Sequence, residues 1–119
     1  MGMLPIRDRS GSVCGWLNDD RVHDLGGRTV AFIRNGQVVS AAGRHLGRHV
    51  SGFVRDEYGD AVAWLEGAHG GPPLPIAGIR PITPIADVRP ISPITPNPPV
   101  KPIASLNWSR ASWASFVAG

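Results

Sequence analysis

The chain contains 119 residues, of which 15 are Gly and 12 are Pro, and only 18% are charged. This composition excludes an ordinary helical bundle, because Gly and Pro interrupt helices, and it excludes a highly charged disordered chain. The single cysteine, Cys14, excludes an internal disulfide bond and a cysteine-based metal site within one chain.

The charge lies in the second part of the chain. Residues 1–71 carry equal numbers of basic and acidic residues, so the net charge of +3 comes from residues 72–119. So few charges, spread along a long segment, release too few counterions for firm nucleic-acid binding, and we expect no nucleic-acid partner.

No targeting or membrane segment is visible in the sequence. The longest apolar run has only a few residues, and no apolar stretch follows a basic region at the N-terminus. We therefore expect neither membrane insertion nor a secretory signal. The expected location is the cytoplasm by default, or the outside of the cell if the protein forms a surface filament.

A sixteen-residue repeat fills residues 6–70 without an insertion. Its four units begin at equivalent Asp or Ser residues, and a Gly follows three residues later in each unit. Internal repeats of this kind decide the architecture of a chain. The columns of the repeat are the turn glycines Gly11, Gly27, Gly43 and Gly59; an apolar column of Cys14, Val30, Leu46 and Val62; a small column of Gly15, Ala31, Gly47 and Ala63; and a mainly aromatic column of Trp16, Phe32, Arg48 and Trp64.

Each unit predicts two short strands. Asp-x-x-Gly is typical of a type I turn, and the pairs Asn35-Gly36 and Ser51-Gly52 indicate tight hairpins. Eight strands in four similar units predict an all-β head with a closed, roughly four-fold arrangement, because closure removes exposed sheet edges. The apolar and aromatic columns are two residues apart, so we expect them on one face, with the small column on the other.

The repeat resembles a known family. The segment HDLGGRTVAFIRNGQVVSAAGRHLGRHVSGFVRDEYGDAVAW, followed by HGGPPLP, is similar to the bacterial four-fold β-flower proteins. The resemblance covers about residues 5–75 and, weakly, the Trp-containing C-terminal segment. It implies a fold and no biochemical activity, and we do not extend it to the Pro-rich middle of the chain.

A three-residue repeat of the form Pro-Ile-x follows over residues 75–104. Polyproline II has three residues per turn, so every Ile or Val would lie on one edge of such a helix. We expect a head at 1–71, a polyproline II segment at 72–104 and an aromatic anchor segment at 105–119. The expected interaction residues are Ile82, Ile85, Ile91, Ile94, Val100, Ile103, Trp108, Trp113 and Phe116.

Length suggests what the Pro-rich tail does. Thirty residues at about 3.1 Å each span roughly 90 Å, whereas a head of this size is roughly 28 Å across. We therefore expect the Ile edge to be covered by other copies of the chain. A plain linker would have no use for an apolar edge, and a ligand for an SH3-like groove would need far fewer triplets.

The C-terminal segment has the composition of an anchor, with Trp108, Trp113 and Phe116 close together. Ser109 is a candidate cap for one or two helical turns. The sequence leaves open whether this segment docks on its own head or on a neighbour's head.

The third unit breaks the repeat, and its residues Arg44, His45, Arg48 and His49 form a candidate ligand surface. We expect Arg48 and His49 not to be buried as Trp16 and Trp64 are, because buried charged groups need partners. On a strand, histidines four residues apart lie too far from each other to hold one metal ion as they would on a helix, and no nucleophile stands beside a base, so we expect no metal, cofactor or catalytic site. Cys14, in the apolar column, is expected to be a core residue.

Two functions are consistent with these features. The first is a non-enzymatic, self-associating structural protein whose β heads are linked through Ile-striped tails into an oligomer or filament. The second is a binding module for a small ligand or a protein, with the Arg44–His49 surface as its site and the tail as a tether. The sequence does not decide between an open filament and a closed oligomer.

Overall fold

The computed structural model describes residues 3–87 and 93–118, which contain eight strands and one short helix. Each strand pairs antiparallel with the next, and β8 pairs with β1 through Trp64 and Arg7, so the sheet closes into a barrel. The all-β head with eight strands is therefore confirmed. The elements are β1 Leu4–Arg7, β2 Val13–Asn18, β3 Arg21–His23, β4 Thr29–Arg34, β5 Gln37–Ser40, β6 His45–Val50, β7 Phe53–Asp56, β8 Ala61–Trp64 and α1 Trp113–Ala118.

The turns form as the sequence predicts. In all four Asp-x-x-Gly or Ser-x-x-Gly turns the glycine N–H donates to the carbonyl of the first residue, at 2.9–3.1 Å. Asn35 and Gly36 both have positive φ, at 52° and 79°, which matches the hairpin turn that Asn-Gly favours. The repeated Asp residues are explained by turn chemistry, because the Asp8 carboxylate accepts the Ser10 N–H at 2.9 Å.

The expectation that the apolar and aromatic columns share a face is wrong. Ile6 pairs with Gly15 and Arg7 pairs with Val13, so Cys14 is an extra residue in a β-bulge. The same bulge recurs in each unit, where the extra residues are Val30, Leu46 and Val62. A bulge reverses the alternation of side chains along a strand. The apolar column therefore packs against the barrel interior, and Trp16 and Trp64 belong to clusters on the outer face.

The barrel interior is built from the same positions of all four units. Ile6, Val22, Val38 and Val54 are each at most 1% exposed and belong to one cluster. The small column lies with them on the face opposite the aromatic residues, as expected. A Cβ atom on Gly47 would lie 1.9 Å from the Arg55 carbonyl oxygen, so only glycine fits there.

The C-terminal segment docks on its own head. Trp113 and Phe116 of α1 join the interior cluster, and Trp113 lies against Gly15. The helix is capped by Ser112, whose Oγ accepts the Ser115 N–H at 3.2 Å, and not by Ser109. Ser109 instead donates its hydroxyl to the Asp56 carboxylate, because a parallel bridge between Ala61 and Trp108 holds this part of the chain against β8.

The Pro-rich tail runs around the head. Its described residues at 73–87 and 93–105 form neither helix nor strand, and they pass the turn glycines of the four units in order. The tail therefore advances nine residues for each sixteen-residue unit of the head. The molecule measures 37 by 36 by 23 Å, a disc with the tail on its rim. The tail is longer than the head's diameter, as expected, but it follows the head's circumference.

Candidate functional site

Four docking sites hold the tail on the head, and we number them by unit. Sites 1 to 4 are centred on Gly11, Gly27, Gly43 and Gly59, which all have φ between 89° and 92°. A Cβ on Gly11 or Gly27 would lie 2.1 Å from the carbonyl oxygen of Ile76 or Ile85. These glycines are therefore required twice, by the left-handed turn and by the tail backbone that crosses it.

Backbone hydrogen bonds fix the tail at three of these sites. The amides of Gly78, Asp87 and Ser105 donate to the carbonyls of the turn glycines at 2.9, 3.0 and 3.1 Å. The donors lie nine and eighteen residues apart along the tail, and the three acceptors belong to units 1, 2 and 4. The tail is thus placed in register with the head by its backbone.

Buried side chains reinforce sites 1 and 4 in the same way. The Arg7 guanidinium donates to the carbonyls of Gly11 and Gly78, at 2.8 and 3.0 Å. The Arg55 guanidinium donates to Gly59 and Ser105, at 2.7 and 2.8 Å. At each of these sites one arginine therefore bridges a head carbonyl and a tail carbonyl. Such charge-assisted hydrogen bonds are stronger than hydrogen bonds between neutral groups.

Site 2 uses a different set of groups. His23 is fully buried, and its Nδ1 lies 3.0 Å from the Gly27 carbonyl oxygen. The tail supplies Asp87, whose carboxylate accepts the Thr29 N–H at 2.8 Å and its hydroxyl at 2.7 Å. These bonds from Thr29 lower the pKa of Asp87, whereas burial lowers the pKa of His23. Site 2 therefore pairs an ionised tail carboxylate with Thr29 beside a neutral histidine.

Site 3 differs from the other three. Val39 occupies the position that Arg7, His23 and Arg55 occupy in the other units, and its side chain has no hydrogen-bond donor. The tail has Pro96 where the other repeats have an N–H donor, and a Cβ on Gly43 would be 3.6 Å from the Ile94 carbonyl oxygen. Here Arg48 holds the tail, because its guanidinium donates to the Pro99 carbonyl at 2.7 Å.

The break in the third repeat is therefore matched by a break in the tail. In unit 1 the tail residue Arg80 lies over the head residue Trp16, at 5.7 Å from the ring centroid. In unit 3 the cation stands on the head as Arg48, and the corresponding tail position is Pro98. Arg48 is only partly buried, as is His49, so the expectation that neither is buried like Trp16 and Trp64 is confirmed.

The candidate ligand residues Arg44, His45, Arg48 and His49 do not form one surface. Arg44 and His45 line a cleft of about 250 Å³ beside Phe116 of α1. His49 occupies the position of Leu17, Ile33 and Leu65 on the inward face of the barrel, and burial lowers its pKa. Arg44 and His45 lie at the start of β6, whereas Arg48 and His49 lie farther along it on opposite faces, so the four side chains are in three different environments.

In both described segments of the tail the outer edge is an exposed surface, which we call the apolar rim. Each of its members is 91–95% exposed, although Trp108 next to it is half-buried against Phe53, with ring centroids 6.2 Å apart. Ile91, an expected interaction residue, lies outside the described residues. The apolar rim consists of Ile76, Ile79, Ile82, Ile85, Ile94, Val100 and Ile103.

Two further observations concern reactive groups in the part of the chain that the structure describes. Burial raises the pKa of the Cys14 thiol to about 12, which fits a core residue. Over residues 3–87 and 93–118, no three His, Cys, Asp or Glu side chains lie close enough to hold a metal ion. The helix in the described part of the chain is too short to cross a membrane.

The fold and its rim define a class: closed eight-stranded β barrels with four-fold internal repetition. The sequence pattern of the 4-fold beta flower protein family matches residues 4–117, so the chain belongs to that family. The match includes the Pro-rich tail, to which we did not extend the resemblance seen in the sequence. Comparison with curated proteins and with solved structures gave no match.

We predict that Gly27→Ala destabilises the protein more than Gly43→Ala does. Both residues have the same positive φ, so each substitution costs about 1–2 kcal/mol of strain. Only at Gly27 would the new Cβ meet the tail backbone and break a docking hydrogen bond, which adds about 1 kcal/mol or more. Urea unfolding measures both free energies, and equal losses would show that the tail does not cross this turn.

We also predict that His49→Leu raises the free energy of unfolding at pH 7 by about 0.5–2 kcal/mol, because it restores the apolar residue of the other units. Burial lowers the pKa of His49, so below about pH 6.5 protons bind preferentially to the unfolded state. The parent therefore loses stability as the pH falls from 7 to 5, and the variant should lose less.

The control for this prediction is His69→Leu, which makes the same chemical change at an exposed position. Its unfolding free energy at pH 7 should stay within about 0.5 kcal/mol of the parent's value. The pH dependence of the His49 variant will not vanish, because burial also lowers the pKa of His23 and of His45. An unchanged pH slope would contradict an inward position for His49.

Proposed function

We propose that this protein is a non-enzymatic, self-associating interaction module whose contact surface is the apolar rim. One observation carries the proposal: seven Ile and Val side chains are at least 91% exposed along a segment whose backbone is held on the head. Single exposed apolar residues are ordinary, but a contiguous row marks an interaction surface.

The energetics of the rim favour association. Burying an Ile or Val side chain completely contributes about 1.5–3 kcal/mol, so a contact that covers several of them offsets the entropy lost on association. The docking sites already order the tail, which lowers the cost of recruiting it into an interface. The rim is therefore prepared for a partner surface that is also apolar.

The geometry of the tail supports a polyproline II conformation as part of this proposal. Nine residues of polyproline II at about 3.1 Å each span about 28 Å, which is the length of tail per unit of the head. Four such lengths, one for each unit, would span about 110 Å around the whole head. A circle 36–37 Å in diameter has a circumference of about 115 Å, so the two lengths agree. Three residues per turn would also put Ile76, Ile79, Ile82 and Ile85 on the outward edge.

The ligand-binding alternative receives less support. Its proposed surface is divided, because Arg48 holds the tail while His49 faces inward. A tether should lie free of its domain, whereas this tail is bonded to the head at sites 1, 2 and 4. The proposal therefore keeps self-association and revises its form, with contacts between rims in place of tails that link distant heads.

We predict that the 119-residue chain associates with increasing concentration and that a variant with Ser in place of the Ile or Val at positions 76, 79, 82, 94, 100 and 103 stays monomeric. All six side chains point to solvent, so the variant should keep the far-ultraviolet circular dichroism and the tryptophan fluorescence of the parent. Sedimentation velocity from about 1 to 200 μM covers the affinities expected for such a contact. A parent that remains monomeric over this range, or a variant that associates as the parent does, would contradict the proposal.

A further inference from the structure

Site 2 is the contact on which the middle of the tail depends. In the described part of the chain, Asp87 supplies the only backbone N–H between Gly78 and Ser105 that donates to the head. Site 3 provides no such bond, because Pro96 stands where the donor would be. Loss of site 2 would therefore leave residues 79–104 without a described backbone hydrogen bond to the head.

The histidine of site 2 lies between the barrel wall and the tail. His23 pairs with Trp16 in the sheet, so both side chains are on the outer face. The tail covers this part of the wall, because Ala86 packs against the cluster that contains Trp16, and the Asp87 carboxylate lies 3.8 Å from His23 Nδ1. His23 is fully buried in this arrangement. Detachment of the tail would therefore expose its imidazole to water.

The hydrogen bonds of His23 determine which nitrogen can take up a proton. Its Nδ1 lies 3.0 Å from the Gly27 carbonyl oxygen, which can only accept, so Nδ1 carries the hydrogen of the neutral ring. Its Nε2 is buried and has no hydrogen-bond partner among the described residues. A second proton would bind at Nε2, where it would create a buried charge and an N–H group without an acceptor.

The charges around His23 act in both directions. Burial is the largest influence and lowers the pKa of His23, and Arg21 on the same strand lowers it further, whereas Asp87 and Asp24 raise it by less. Detachment of the tail would return this pKa toward its ordinary value of about 6.5, so protons favour the detached state below that pH. Asp87 stays ionised in this range, because its hydrogen bonds from Thr29 lower its own pKa.

We propose that His23 makes site 2 a pH-sensitive latch, which holds the middle of the tail on the head while the imidazole is neutral and releases it when the imidazole binds a proton. Sites 1 and 4 have Arg7 and Arg55 at the same position of the repeat, and a guanidinium group does not titrate in this range. Acid therefore loosens the tail between two arginine sites that still hold it. This inference concerns the docking of the tail on its own head and does not depend on the proposed self-association.

The test measures amide hydrogen exchange of the 119-residue chain at about pH 7, 6 and 5, with each rate divided by the intrinsic rate of that amide at the same pH. Gly78 and Ser105 are internal references, because global unfolding changes the protection of all three docking amides equally. Relative to these references, the protection of Asp87 should fall about 5- to 25-fold from pH 7 to pH 5, where the upper value is that of one proton bound with a pKa of about 6.5.

Two results for the parent would overturn the latch. An unchanged ratio between Asp87 and the references would show that no proton is taken up when site 2 opens. A ratio that rises as the pH falls would show that attraction between protonated His23 and Asp87 strengthens the docking.

Two variants test whether His23 is the group responsible. His23→Arg supplies the residue of sites 1 and 4, and His23→Asn keeps an N–H donor while removing the titrating ring. In either variant the relative protection of Asp87 should change less than about twofold over the same pH range. The matched control is His69→Arg, at an exposed histidine, which should respond as the parent does. A His23 variant that has the circular dichroism of the parent and keeps its pH response would overturn the assignment.

Discussion

The structure depends on the turn glycines, because at Gly11, Gly27 and Gly59 the missing Cβ atom allows a second backbone to cross a left-handed turn. At sites 1, 2 and 4 the glycine carbonyl accepts a tail N–H, and a tail carbonyl occupies the space that a side chain would fill. This contact couples two different periods, sixteen residues in the head and nine in the tail. It also orients the tail, because Pro75 and Pro84 are half-buried against the head while Ile76 and Ile85 point outward.

Head and tail change together where the repeat is imperfect. Val39 replaces the reinforcing Arg or His in the same unit in which Pro96 removes the tail N–H, so head and tail lose their donors in the same unit. Arg48 then supplies a hydrogen bond to the Pro99 carbonyl. Arg48 departs from the aromatic column of the repeat, which suggested a functional site when the head was considered alone. Its contact with the tail explains this departure. The tail is therefore part of the folded unit, in agreement with a family match that extends to residue 117.

Much of the fold could be predicted from the sequence because local chemistry determines it. Asp-x-x-Gly and Asn-Gly specify turns through backbone conformation alone, and the repeat then implies a closed barrel. The bulge at Cys14 could not be predicted, because it depends on how neighbouring strands pair, and it placed the apolar and aromatic columns on opposite faces. The nine-residue register was present in the recurrence of Pro-Ile at 75, 84, 93 and 102, but the shorter three-residue period concealed it.

The site was harder to predict than the fold for a related reason. The exposure of the Ile edge follows from which edge of the tail faces the head, and that depends on the docking hydrogen bonds and not on the tail's own composition. The surface suggested by Arg44, His45, Arg48 and His49 was inferred from closeness in sequence. A strand directs successive side chains to opposite faces and separates its two ends, so neighbours in sequence did not become neighbours in space.

The most direct test of this account is residue-resolved amide hydrogen exchange along the tail of the native protein. The docking sites predict slow exchange at Gly78, Asp87 and Ser105, and fast exchange at Ile79 and Ile82, whose N–H groups donate to no described residue. Protection at these three amides, with none at Ile79 and Ile82, would support a tail bonded to the turn glycines. Uniformly fast exchange across residues 75–105 would contradict it, because a tail that is not bonded to the head could not hold the apolar rim in place.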